Sequence, residues 1–362
     1  AGSAPPPPAL LAGPPAGAGG GGEDREPRLV IPRSILPATS TDGRRQRRLA
    51  AAKAQELISQ TCGDLPEAAR IVQCGRTANN ARGVTVKRSA EGGRVYVSGV
   101  VTCGSAWICL ACSYKIRSKR ARMIGRAVAM HLFLGGGVLF GTFTLSHDRG
   151  EPLEGLWQIL SKGWAHTTAG GTWVRFKDRF DVVGWVKTVE VTYGVNGWHP
   201  HIHALFFVGA PMNDFDREDD YREFRAELRE RWITYYDRKH QRNVSREFGI
   251  RFDPVKADES DKLGIYCTKV GYELAMADAK IGRSEGHRHP FAIAHDAAAY
   301  GDRADVMLLR DWIVSCKGRH SIDWSRGDIK AYVGAEVDKT DEELATEEQV
   351  GDESLLVLSL IH

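Results

Sequence analysis

The sequence predicts an α+β fold built on a central antiparallel sheet with flanking helices. Two observations carry this: helical and strand patterns follow one another in mixed order, and the strands come in pairs joined by short turn-like segments. No internal repeat is evident along the chain.

The elements are expected in the following order. Residues Ala1 to Gly22 are almost wholly Ala, Gly and Pro, with Leu10 and Leu11 as the only large apolar side chains, so no core can form there. Arg44, Arg45, Arg47 and Arg48 form a basic cluster, either a solvated charge run or a DNA-contacting arm, leading into an Ala-rich stretch suited to a short helix. The whole of 1–56 is expected to be disordered, with ordered sequence from Leu57. In the Cys-rich region 57–115, Val84 to Val86 and Arg94 to Val97 flank the turn-like Ala90-Glu91-Gly92-Gly93 and read as a hairpin. Lys115 to Leu134 reads as a helix, basic in its first half, and Val138 to Leu145 as a strand. Val182 to Val208 is a second hairpin. Two helices follow. Asp216 to Asp237 has Phe215, Tyr221, Phe224, Leu228 and Trp232 at helical spacing, and another helix covers about Asp258 to Ala279. Together 116–280 are expected to form the main domain, 281–334 its C-terminal extension and 335–362 an acidic tail.

Charge separates along the chain. Lys and Arg number 49 against 46 Asp and Glu, a net of +3. From Ala335 to His362 there are nine acids and one lysine, which leaves 48 basic against 37 acidic residues, +11, on the rest. A basic body points to an anionic partner, most commonly nucleic acid. The longest uncharged run, Ala127 to His147, contains Gly135, Gly136 and Gly137 and reads as a helix end, a turn and a buried strand, not a membrane span. Seven cysteines without a secretory signal favour a reducing cytoplasm, where thiols bind metal or stay free.

Cys109 and Cys112 have the two-residue gap of a zinc knuckle. If the first hairpin turns near residue 91.5, its arms fold back so that Cys74 meets Cys109, and Cys74, Cys103, Cys109 and Cys112 can converge on structural Zn²⁺. Buried or free cysteines are the alternative, and Cys62 is the weaker candidate ligand. No thioredoxin-like βαβ pattern surrounds Cys109 and Cys112, which argues against a redox pair.

The segment Gly197-Trp198-His199-Pro200-His201-Ile202-His203-Ala204-Leu205 carries the sharpest signal. Side chains two apart in a strand share a face, so His201 and His203 point the same way, while Ile202, Leu205 and Phe207 are expected to point into the core. With Gly194-Val195-Asn196-Gly197 as a four-residue turn and Tyr193 paired with Trp198, Glu190 lies across from His201 and diagonal to His203. Two imidazoles and a carboxylate on one face make a divalent-metal site. His199 has the same parity and reads as a group supporting the metal site or contacting DNA.

On the expected helix from Glu259 to Leu274, Leu263, Cys267, Val270 and Leu274 form the core stripe. At 100° per residue, Tyr266 lies about 60 to 70° from its centre, beside Lys262, Lys269 and Glu273. There a phenol can be stabilised as phenolate, although ordinary border tyrosines occupy the same kind of position.

Taken together, these segments resemble the plasmid rolling-circle replication initiators, the Rep family 1 branch of the HUH endonucleases. The resemblance rests on His201-Ile202-His203, Tyr266-Cys267-Thr268-Lys269, Phe143-Thr144-Leu145-Ser146, the Cys103 to Cys112 lead-in and Lys317-Gly318-Arg319 to Trp324-Ser325, over about residues 62 to 330. It implies an HUH, RRM-like sheet. It also implies Mg²⁺ or Mn²⁺ at His201, His203 and Glu190, with Tyr266 as nucleophile assisted by Lys269. Single-stranded or extruded origin DNA would be nicked to a 5′-phosphotyrosyl link and a free 3′-hydroxyl, in a bacterial cytoplasm, with a host polymerase and helicase as partners and no membrane. Lys262, Lys115, Arg117, Lys119 and Arg120 would support the metal site or contact DNA. Where some family members carry a glutamate before the tyrosine, this chain has Lys262, so Glu259 or Glu273 would serve as the termination acid. A relaxase or transposase of the same chemistry is the alternative within the class. Outside it stands a non-catalytic, zinc-containing DNA-binding regulator.

Overall fold

A computed structural model describes residues 41–79, 83–90, 93, 95–209, 218–240, 242, 244–245, 249–255, 287–347 and 353–358. In chain order the elements are α1 (Thr41–Cys62), α2 (Pro66–Gln73), β1 (Val84–Arg88), β2 (Val95–Ser98), α3 (Leu110–Phe133), β3 (Gly137–Phe143), α4 (Leu153–Thr167) and α5 (Gly170–Phe180). They continue with β4 (Val182–Gly194), β5 (Gly197–Val208), α6 (Glu218–His240), β6 (Ile250–Val255), α7 (Pro290–Tyr300), α8 (Arg303–Ser315), β7 (Ile322–Trp324), α9 (Asp341–Thr346) and β8 (Glu353–Leu358). The strands form two antiparallel sheets, one ordered β6-β3-β5-β4-β7 and a smaller one ordered β2-β1-β8.

Ordered structure begins earlier than expected, at Thr41 and not near Leu57, and the helix suggested by the Ala-rich stretch runs on to Cys62. Its Ala-, Gln- and Lys-containing sequence has good helix propensity, and Gln55 anchors it by donating to the Ile71 and Cys74 carbonyls at 3.0 and 2.8 Å. The expected helix at Asp258 to Ala279 lies outside the described residues.

One face of the large sheet carries the main core. Leu153, Leu156, Trp157, Leu160 and Trp164 form the buried stripe of α4, and Tyr221, Phe224, Leu228 and Trp232 that of α6. Phe143 stands at the centre, with its ring edge-on or tilted against Trp164, Phe206, Trp232 and Phe252 at centroid separations of 5.2 to 6.1 Å. Each such buried side chain stabilises the fold by roughly 1.5–3 kcal/mol. These contacts make the sheet a rigid base for whatever its other face holds.

That other face is also covered, which corrects the expectation for Leu205 and Phe207. Both share the His201 and His203 face, and Ile202 alone of the three lies with Phe206 on the opposite one. Phe207 is buried because α3 packs over it, with the His131 ring 5.3 Å away and His131 Nε2 2.8 Å from the Val208 carbonyl. A strand buried on both faces loses the alternation by which an inward face is recognised.

Part of the acidic C-terminal stretch is folded, against the expectation of a separate tail. Thr340 and Glu343 form a reciprocal capping box at the start of α9, Leu344 and Ala345 are buried, and β8 pairs with β1. Its carboxylates meet basic residues of the body: Asp341 with Arg120 at 3.2 Å, Glu347 with Lys119 at 2.8 Å, Glu336 with Arg126 at 3.2 Å and Glu342 with Arg70 at 2.5 Å.

Candidate metal centres

The first cluster is assembled by the small hairpin. Arg88 pairs with Val95 and Thr85 with Ser98, and beyond the strands Ala78 bridges Val100 while Gly75 N–H donates to the Val101 carbonyl at 2.8 Å. This zipper returns Cys74 to the start of α3, where Cys109 is the N-cap and Cys112 lies in the first turn. Gly104, at φ 68°, turns the chain between Cys103 and Cys109, and a side chain there would strike Glu342 of α9. Cys74 Sγ lies 3.5 Å from Cys112 Sγ and 3.7 Å from Cys109 Sγ, and Cys103 Sγ lies 3.6 Å from Cys112 Sγ. Sulfurs around tetrahedral zinc with 2.3 Å bonds stand about 3.8 Å apart, so the donor set fits Zn²⁺. Hydrogen bonds from Cys103, Cys109 and Cys112 hold the Cys74 thiol far below its ordinary pKa, and the α3 N-terminus adds positive potential. Cys62 is fully buried but stands outside this group of four.

The second cluster lies on β4 and β5. Tyr193 pairs with Trp198, Glu190 with His201 and Thr188 with His203, the register that the sequence predicts. The turn is tighter than expected: Gly194 and Gly197 also pair, leaving only Val195 and Asn196 between the strands, and Gly197 takes φ 88°. Glu190 Oε2 sits 3.1 Å from His201 Nε2 and 2.8 Å from His203 Nε2. Burial alone would raise the Glu190 carboxyl, but the hydrogen bonds from His201 and His203 outweigh it and hold the group far below the usual carboxylate range. Burial lowers His203 despite its Glu190 partner. One carboxylate and two imidazoles converging in this way could hold a divalent cation. The side chains of Glu190, His201 and His203 are 22%, 13% and 8% exposed, so the carboxylate edge is the open side.

Neighbours that the sequence reading missed support this triad. Thr142 Oγ1, from β3, is 3.1 Å from His203 Nδ1, and the Phe140 ring stacks on His203 at 5.4 Å. His147, in the loop after β3, places Nε2 2.9 Å from His199 Nδ1, with the His199 ring 5.3 Å from that of His201. Burial, reinforced by the neighbouring imidazoles, pushes His199 down to about 4. The chain returns to the described residues at His287, whose ring is 6.4 Å from His199. Arg288 exchanges backbone hydrogen bonds with Tyr193 and is fixed by two bonds to Asp305, at 2.8 and 2.7 Å. Thr142 and His147 come from a distant strand and loop, so only the tertiary pairing brings them to the histidines.

Two expected DNA contacts, Arg117 and Arg120, are buried and need correction, whereas Lys115 is exposed and Lys119 partly so. Arg117 is 2% exposed, donates to the Ala106 carbonyl and lies over the Trp107 ring, and burial lowers it to about 10. Arg120 donates to the Val337 carbonyl at 3.0 Å and meets Asp341. Lys119 donates to the Leu344 carbonyl and Glu347, and Lys115 to the Ala345 carbonyl. The folded C-terminal stretch therefore takes up Arg120 and meets Lys115 and Lys119. Tyr266, Lys269, Lys262, Glu259 and Glu273 lie outside the described residues.

The fold and site define a mixed α/β protein with an antiparallel sheet, a Cys₄ cluster and a Glu/His/His group able to hold metal. Among known proteins the chain is similar to "Protein rep" of Streptomyces lividans, 35% identical over 156 residues, covering 36% of this chain and 34% of the relative. It is also similar to "Neomycin resistance protein" of Streptomyces cyanogenus, 30% identical over 152 residues, covering 35% of each. The chain thus spans about a third of the length of these curated relatives. No family model and no solved structure matches it. Among the described residues no helix is long and apolar enough to cross a membrane.

Proposed function

We propose that this protein initiates rolling-circle plasmid replication as an HUH-type nicking and joining enzyme. The observation that carries the reading is the convergence of Glu190, His201 and His203 on adjacent antiparallel strands. The similarity to a rep protein supports the replication role over a relaxase or transposase.

In this reading the target DNA enters single-stranded or extruded, held chiefly through its phosphates. Glu190, His201 and His203 would hold Mg²⁺ or Mn²⁺, which supplies Lewis-acid polarisation of the scissile phosphate. Tyr266 is the nucleophile. Its phenolate oxygen forms a bond to phosphorus as the bond from phosphorus to the 3′-oxygen breaks, and that oxygen takes a proton to become the primer hydroxyl. Lys269, three residues along the sequence, stabilises the phenolate or the phosphate. Glu259 or Glu273 would serve in termination. Reversal of the same step reseals DNA without ATP. Cys74, Cys103, Cys109 and Cys112 would hold a structural Zn²⁺.

The test is incubation of the protein with single-stranded origin oligonucleotides and Mn²⁺. Wild type should give a denaturant-stable protein–DNA adduct and Tyr266→Phe none. An undiminished adduct with Tyr266→Phe rules out this nucleophile, and specific DNA binding without cleavage by wild type favours the regulator.

A further inference from the structure

On the reading that Glu190, His201 and His203 hold a divalent ion, we infer that Thr142 is a positioning residue of the site, its hydroxyl holding the His203 ring through Nδ1 in both of the ring's neutral tautomers. Thr142 lies directly opposite His203 in the β3–β5 pair, and its Oγ1 is 3.1 Å from His203 Nδ1. On the other side of the same ring, Nε2 is 2.8 Å from Glu190 Oε2. A neutral imidazole has one N–H for these two partners.

Without an ion, the proton belongs on Nε2, where it is donated to the Glu190 carboxylate. Nδ1 is then a lone pair that accepts from the Thr142 hydroxyl. To ligate a cation through Nε2, the ring must carry its proton on Nδ1 and donate it to Thr142 Oγ1. The proton leaves one nitrogen and one is gained at the other through solvent, so the tautomer changes without net release. A hydroxyl rotates to serve as donor in the first state and acceptor in the second, which neither a methyl group nor a carbonyl can do. Phe140 holds the plane of the ring, its own ring lying 5.4 Å away and 22° from parallel. Among the described residues, His201 lacks an equally close support on its second nitrogen: its Nδ1 is 3.5 Å from the His199 carbonyl. His203 is therefore the ligand whose ring a neighbouring strand holds, and groups of this kind commonly govern metal affinity about 10–100-fold.

Calorimetric titration of the zinc-loaded full chain with Mn²⁺ tests this, using wild type, Thr142→Val, Thr142→Ala, Thr142→Ser and His203→Ala. Thr142→Val and Thr142→Ala should each weaken Mn²⁺ about tenfold or more, while Thr142→Ser keeps affinity within about threefold. Melting temperatures without Mn²⁺ identify any variant that has lost its fold; the alanine variant leaves room at the site if valine does not fit. Nitrogen-15 spectra of labelled histidine in Mg²⁺-saturated wild type should show the His203 proton on Nδ1. Wild-type Mn²⁺ affinity in a folded Thr142→Val or Thr142→Ala overturns the inference. Wild-type affinity in His203→Ala instead overturns the triad reading, and this inference falls with it.

Discussion

The two clusters differ in how completely the protein surrounds them. Cys74, Cys103, Cys109 and Cys112 offer four donors from three separated segments, with three of the four buried. Glu190, His201 and His203 offer three donors from one hairpin, with the carboxylate partly open. Four soft donors leave no position for a reactant, whereas three donors on a rigid sheet leave room for water or a phosphate oxygen. The contrast separates a centre that would hold the chain together from one that would act on something else. The hairpin register that builds the second comes from backbone pairing and a two-residue turn, so it does not require a cation to form.

The largest effect should come from breaking the closed cluster. Cys112→Ser should lower bound zinc to below one ion per chain and destabilise the fold by several kcal/mol, since metal binding of this type is itself folding free energy of about 10 kcal/mol or more. Metal analysis and thermal melting check this, and an unchanged melting temperature would place the cluster outside the folding core. The open site should behave oppositely. His201→Ala with His203→Ala should abolish nicking and weaken Mn²⁺ about 100-fold, while the zinc-loaded melting temperature changes little. A fall as large as that of Cys112→Ser would erase the distinction.

The smallest effect concerns pH. His289 accepts the Phe291 N–H as the N-cap of α7, and burial pushes it down to about 3. Its folded pKa lies below its unfolded value of about 6.5, so between those values the unfolded chain binds the extra proton. Stability from this group is complete above pH 6.5 and falls by up to about 1.4 kcal/mol per unit as pH drops from there toward 3. His289→Asn keeps a capping side chain and should flatten that slope in denaturant titrations at pH 5 and 7.

How much of this was legible in the sequence depends on the range of the interaction. The β4–β5 register followed from one turn and side-chain parity, which together place Glu190 opposite His201. The return of Cys74 to Cys109 and Cys112 followed from the first hairpin in the same way. Leu205 and Phe207 were misassigned because both faces of β5 are covered, so apolar character no longer marks one side. The helices α4 and α5 and the strand β6 were not expected at all; α4 and β6 supply much of the packing around Phe143 and Phe206, and α5 packs on Phe224. Thr142 carries no motif. Only the pairing of β3 with β5 gives it a place beside His203.

The docking of the C-terminal acids onto Arg70, Lys119, Arg120 and Arg126 has a thermodynamic consequence for any polyanion. A cation already matched to a carboxylate has settled its ionic atmosphere within the fold. It has little left to exchange with the ions condensed on a phosphate chain. The dependence of DNA affinity on salt should therefore count far fewer charges than the +11 body presents on paper, and those it does count belong to other surfaces of the molecule.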